Sequence, residues 1–271
     1  MNLSPSAEAR KPPQRPGRLA ATALFARRTL HHMGNNGFGI AVEAVLSPIV
    51  MLLIFAFLFG GAMTGSVQAY IHYLLPGILM LTVIPLTVYS GTTLCSDIAK
   101  GVYHRFRTMP FWQPAAILGS VAADGLRYLA ALLAVLATGT TLGFRPEAGI
   151  SGVASALLYA LFFAYCVSWI FALVGIWAKR PETVSGTSMM AMYPLLFASN
   201  VLVDPSSMPG WLRAAIDWNP VSLAVHLTRG LLHGTADAAG LMAGIGFPLL
   251  LTAVFVPLTM RAYRKRGSRP D

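Results

Sequence analysis

Charge is scarce in this chain. Asp, Glu, Lys and Arg make up 11% of its 271 residues, against about 25% in soluble globular domains, which excludes a pair of solvated domains of ordinary composition. Cysteine is nearly absent: Cys95 and Cys166 are the only two. They fall in separate apolar stretches at different depths, so no disulfide framework is expected and both read as small packing residues. The phosphate-cradling loop of an ATPase is missing. It requires Gly directly before its Lys in the order GxxxxGK[ST], whereas the four lysines follow Arg10, Ala99, Ala178 and Arg264. Any ATP-driven work therefore falls to a separate subunit. Clustered His, Asp or Glu at one depth, the mark of an intramembrane enzyme, is lacking as well, because the six histidines are scattered. The adjacent His31-His32 pair would project about 100° apart on a helix and cannot easily share one ion. No catalytic residue, metal ligand or cofactor bound by this chain is expected.

Long apolar runs are what the chain does have. Residues 39–60, 71–94, 115–142, 151–178, 183–203 and 238–260 form six stretches, each near or above the about 20 residues needed to cross a hydrocarbon core of roughly 30 Å. With 55% hydrophobic residues overall, the expectation is an all-α polytopic membrane protein with six transmembrane helices. Sixteen of the twenty basic residues lie before the first stretch, between the second and third, between the fourth and fifth, or after the last. An even number of spans puts both termini on that side, and the positive-inside rule makes it the cytoplasm. The net charge of +10 thus has a topogenic explanation: the basic residues border apolar spans and build no basic face with stacking aromatics, so nucleic acid is not an expected partner. The first apolar run begins near residue 39 with no short run and small-residue cleavage site ahead of it, so that span is expected to stay in the mature protein.

Four segments complete the organisation. Residues 1–17, rich in Pro, Ala, Arg and Ser, read as a disordered cytoplasmic tail. Residues 18–36 read as an amphipathic interfacial helix, in which Leu19, Ala23, Ala26, Leu30 and Met33 share a stripe away from Arg27 and Arg28, ended by Gly34-Asn35-Asn36-Gly37. The six-span domain runs over 37–262 and a basic tail over 263–271. Between the second and third spans, Ser96 or Asp97 is expected to cap a short helix of the inner loop, and Pro110 and Pro114 to end helical structure before the third span. Between the fifth and sixth, two short interfacial or re-entrant helices are expected, bent at Asn219-Pro220, with Trp211 and Trp218 suited to the membrane interface.

Ionisable residues within the spans are Glu43, Asp124 and Arg127. Such residues are functional candidates because each costs a few kcal/mol at the bilayer centre. Asp124 and Arg127, three apart on one helix face, are expected to pair with each other.

Three groups of residues carry a family resemblance: Tyr73-Leu74-Leu75-Pro76-Gly77; Gly101 with Arg105-Phe106-Arg107-Thr108-Met109-Pro110; and Met208-Pro209-Gly210-Trp211-Leu212 with Asn219-Pro220 and Arg229-Gly230. Together with six spans and an amphipathic start, over roughly residues 18–262, the chain resembles the membrane subunits of type-2 ABC exporters, particularly the daunorubicin/doxorubicin-resistance permeases. The resemblance implies a bacterial inner-membrane permease that dimerises with a second copy and docks two copies of an ATPase subunit, which holds the ATP and Mg. It assigns the docking to the inner loop, here Asp97, Lys100, Gly101, His104, Arg105, Phe106 and Arg107. It places a pathway for a lipophilic substrate on the second and fifth spans, here Thr82, Thr87, Tyr89, Ser90, Thr93, Thr187, Ser188, Met189, Met192, Tyr193, Ser199 and Asn200. The outer re-entrant segment carries Pro209, Trp211, Trp218, Asn219, Pro220 and Arg229. A drug, antibiotic or lipid is the implied cargo, with a polysaccharide or teichoic-acid permease as the alternative. A secondary transporter is disfavoured, because neither a 3+3 repeat nor paired broken spans stand out.

Overall fold

A computed structural model describes residues 42–100, 114–203 and 208–266. The N-terminal tail, the interfacial helix of 18–36 and the inner loop from Gly101 onward lie outside the described residues. Among the described residues the fold is entirely helical. A π-helical turn, Val42–Leu46, leads directly into α1 (Ser47–Thr64), and Pro48, which offers no N–H to the ladder, sits where the two meet. Then follow α2 (Val67–Leu86), α3 (Val88–Ala99), α4 (Pro114–Thr141), α5 (Gly149–Trp177) and α6 (Pro181–Phe197). Two short helices, α7 (Gly210–Asp217) and α8 (Pro220–His233), precede the 29-residue α9 (Ala238–Arg266).

The expected second span is two helices. Pro85 can offer no N–H to the ladder, and its ring crowds the carbonyl four residues back. The break falls at Thr87, whose hydroxyl donates to the Ile84 carbonyl. Other boundaries also move. Ser96 and Asp97 do not open a new helix; they belong to the last turns of α3, because nothing before Lys100 interrupts its ladder. The fifth stretch stops being helical at Phe197 rather than continuing to 203. The last helix continues past 263 through Arg266, so part of the expected basic tail is helical.

Among the described residues, four helical stretches are long and apolar enough to cross a membrane: Ala44–Thr64, Val67–Ala99, Gly149–Trp177 and Ala238–Lys265. Burial ranks them. The α2–α3 stretch is buried over 83% of its apolar window, and Ala238–Lys265 over 11%. The former is therefore the centre of the bundle, with α1, α4, α5, α6 and α8 packed around it, and α9 is a peripheral stave against α5 and α8. Outward-facing Phe57 and Leu58 on α1 and Met242 and Leu250 on α9 are more than half exposed. A continuous apolar exterior of this kind is the face a bilayer solvates. The chain is a multi-pass membrane protein.

Centre and periphery are locked where α3 meets α5. A Cβ added to Gly175 would stand 2.2 Å from the Gly91 carbonyl oxygen, and one added to Gly91 would stand 2.2 Å from that of Phe171. The two backbones touch with no side chain between them, the close approach that small residues permit between membrane helices.

Candidate functional site

On one side of α6 lies a groove of about 180 Å³ opening outward between α1, α2 and α6. Its walls are Ser47, Pro48 and Met51 from α1, Leu81, Thr82, Pro85 and Leu86 from α2, Tyr89 from α3, and Met189, Tyr193, Leu196 and Phe197 from α6. The surface is apolar and aromatic with two sulfur side chains, which adapt to irregular shapes. The Thr82 hydroxyl is spent on the Ile78 carbonyl, so it adds little polarity.

Of the residues expected in a pathway, the structure brings Thr82, Tyr89, Met189 and Tyr193 to this groove. Others are placed elsewhere. Thr87 is buried at the helix break and Thr93 is half-buried further along α3. Thr187 is exposed on α6. Ser188 and Met192 line a separate cavity of about 220 Å³ between α5, α6, α8 and α9. Ser199 is buried and bonds back to the Leu196 carbonyl. Asn200 belongs to a clasp formed with Tyr73 and Arg229. Sequence reasoning missed the contribution of α1: nothing in Ser47, Pro48 or Met51 marks them, and only the three-dimensional contact with α2 reveals them.

Directly beneath the groove sits a buried polar cluster. Ser90, the chain neighbour of Tyr89, donates to Asp124 Oδ2, and Arg127 Nη2 donates to Asp124 Oδ1 at 2.8 Å. The Ser90 and Tyr128 hydroxyls are 3.3 Å apart. The Arg127 guanidinium lies over the Tyr89 ring, 4.8 Å from its centroid. Asp124 and Arg127 thus pair as expected from their spacing, and they also bind α4 to the first turn of α3.

The segment between α6 and α9 forms a clasp around the end of α6. Asn219 caps two helices at once: its Oδ1 accepts from Val221 N–H at the start of α8, and its Nδ2 donates to the carbonyls of Leu195 and Ala198 at the end of α6, at 2.8 and 2.7 Å. Pro220 takes the first position of α8, where its fixed φ suits a helix start. Arg229 lies over the Tyr73 ring, 3.9 Å from its centroid, and donates to the Tyr73 and Asn200 carbonyls; the Tyr73 hydroxyl also donates to Asn200. Pro209 precedes α7, and Trp211 and Trp218 are 76% and 87% exposed. At the other end, Asp97 and Lys100 close α3, while Gly101, His104, Arg105, Phe106 and Arg107 lie outside the described residues. Both cysteines are buried and neither is in a disulfide.

The Asn219 clasp carries a prediction. Asn219→Ala removes one N-cap and strands two carbonyls, an expected loss of about 2–4 kcal/mol. Asn219→Asp, which keeps the acceptor and loses the donors, should fall between it and the parent. Thermal unfolding in detergent, compared across the three proteins, checks the order.

Comparison with known proteins adds the lineage. A family model described as ABC-2 type transporter matches residues 20–233. The daunorubicin resistance ABC transporter permease protein of Streptomyces coeruleorubidus is 46% identical over 261 residues, covering 94% of this chain and 91% of that protein. A Mycobacterium tuberculosis protein named "Probable doxorubicin resistance ABC transporter permease protein" is 21% identical over 230 residues, covering 82% of this chain and 83% of its own. With most of its length matched by the family and by a close relative end to end, the chain belongs to the ABC-2 type transporters.

Proposed function

We propose that this chain is the membrane subunit of an ATP-driven exporter that moves a lipophilic or amphipathic drug, antibiotic or lipid out of the cytoplasm or inner leaflet, with ATP hydrolysed by a separate subunit. The observation that carries the reading is the groove: Met51, Met189, Tyr89, Tyr193 and Phe197 present apolar and aromatic surface at the meeting of three apolar helices. Such a lining favours a lipophilic cargo over a polysaccharide, whose hydroxyls would go unpaired against it. The relatives named for daunorubicin and doxorubicin resistance support the same cargo class.

In this reading α1, α2–α3, α4, α5, α6 and α9 are the six spans. At 17 residues α6 is about 25 Å long, short of the core thickness, and residues 198–203 complete it. The basic ends face the cytoplasm, α7 with Trp211 and Trp218 rests in the outer interface, and the N-terminal segment lies along the inner one. One copy leaves the groove open on one side, and a second copy related by two-fold symmetry closes it across the exposed face of α6. Asp97 and Lys100, with Gly101, His104, Arg105, Phe106 and Arg107, form the surface that receives the ATPase.

The test is reconstitution in proteoliposomes. The chain alone should hydrolyse no ATP and transport nothing uphill; with its ATPase it should form a two-plus-two complex whose hydrolysis rises with lipophilic substrates. Accumulation by the chain alone on an ion gradient would overturn the proposal.

A further inference from the structure

Four side chains beneath the groove close a ring. The Tyr89 ring lies against Arg127, Arg127 holds Asp124, Asp124 accepts from Ser90, and Ser90 is bonded to Tyr89 through the backbone. Arg127 is only 7% exposed, and its Nε and Nη1 are buried with no hydrogen-bond partner. A guanidinium placed mid-span with two of its donor groups unused is costly, and charge neutralisation alone does not explain it, because a lysine would pair with Asp124 just as well. What a lysine lacks is a flat cation that can lie along an aromatic face. Position adds to the argument. The ring closes on the first turn of α3, directly after the break at Thr87. There the missing N–H of Pro85 loosens the ladder between α2 and α3, although Thr87 keeps helical dihedrals and its bond to the Val83 carbonyl.

We infer that Arg127 is the positioning residue of the groove: it fixes the orientation of the Tyr89 ring and so sets the affinity of the groove for its cargo. It touches no cargo itself, since it does not line the groove. The inference rests on the groove's being the transport pathway. Asp124 and Ser90 aim the guanidinium, and the cation–ring contact does the rest. The same ring ties the groove-lining start of α3 to α4, and the far end of α3 at Lys100 leads into the inner loop.

Two readouts separate the inference from the reading beneath it. The first is the ¹⁹F spectrum of 3-fluorotyrosine placed at position 89 in the full chain in detergent, which reports ring orientation without transport. The second is ATPase stimulation by a lipophilic fluorescent dye in the reconstituted complex. Arg127→Lys keeps the ion pair and removes the flat contact. It should shift or broaden the fluorine resonance and raise the half-saturating dye concentration about tenfold, with the plateau rate held within about twofold. The exchange Asp124→Arg with Arg127→Asp keeps both charges but sets a carboxylate beside Tyr89, and it should not restore the parent values. An unchanged resonance in Arg127→Lys, or restoration by the exchange, would overturn the inference. A shifted resonance with unchanged half-saturation would leave Arg127 as the anchor of Tyr89 and refute its control of cargo affinity, locating the pathway elsewhere.

Discussion

Gly175→Leu is expected to leave almost no folded protein. Any side chain at 175 must enter the space of the Gly91 carbonyl, which a Cβ would already approach to 2.2 Å. The obstacle is backbone, so no rotamer change relieves it; α3 and α5 must separate. Those two helices form the most extensive helix pair in the bundle, and Leu94, Trp169, Ala172 and Ile176 pack around the contact. Overpacking a core usually costs about 1–3 kcal/mol where side chains can yield. With backbone on both sides the loss should exceed about 4 kcal/mol, the range that marks a broken architecture. Gly246→Leu is the control, because a Cβ there meets nothing within 4 Å, and it should be close to neutral. Recovery of monodisperse protein and its thermal midpoint give the comparison; a Gly175→Leu protein as stable as the control would mean that α3 and α5 are not in contact.

The second large effect concerns the buried ion pair. Asp124→Ala removes the acidic partner of Arg127 and leaves the Ser90 hydroxyl with Tyr128 alone, so that a cation 7% exposed is left inside the bundle. Removing one member of a buried pair costs about 3–5 kcal/mol, mostly the penalty on the charge left behind. Replacing both, as Asp124→Leu with Arg127→Met, removes that penalty and should cost less than Asp124→Ala alone. This non-additivity is the distinguishing result, and a double-mutant cycle of unfolding in detergent measures it. If the double variant is as unstable as the sum of its parts, the two residues act independently and the ring beneath the groove does not exist as a unit.

Much of the helical plan was legible from apolar run lengths and from Pro and Gly. The bend at Asn219-Pro220 was readable because Asn caps and Pro starts helices for local reasons, and the Asp124–Arg127 pair because three-residue spacing is local too. What could not be read is which face of each span meets protein. A helix apolar all round has no polar stripe to mark its exposed side, so Met189 and Met192 looked alike, although one lines the groove and the other a different cavity. The stacking of Arg127 on Tyr89 was hidden for a similar reason, since it joins residues 38 apart through a fold the spacing does not encode. The break at Thr87 did have a signal in Pro85, but proline inside a long apolar run is common enough in membrane helices not to announce a new helix.

The near-bare flank of α9 has a consequence for how the chain is made. Helices emerge from the ribosome in order, and earlier elements can pack before later ones exist. Every helix around the groove, and most of the surface that α8 buries against α2 and α5, is synthesised before residue 238. The last span therefore arrives at a bundle already assembled and lies against its side. Appending a partner domain or reporter after Arg266 should disturb biogenesis far less than an insertion before α8, whose burial depends on helices made both before and after it.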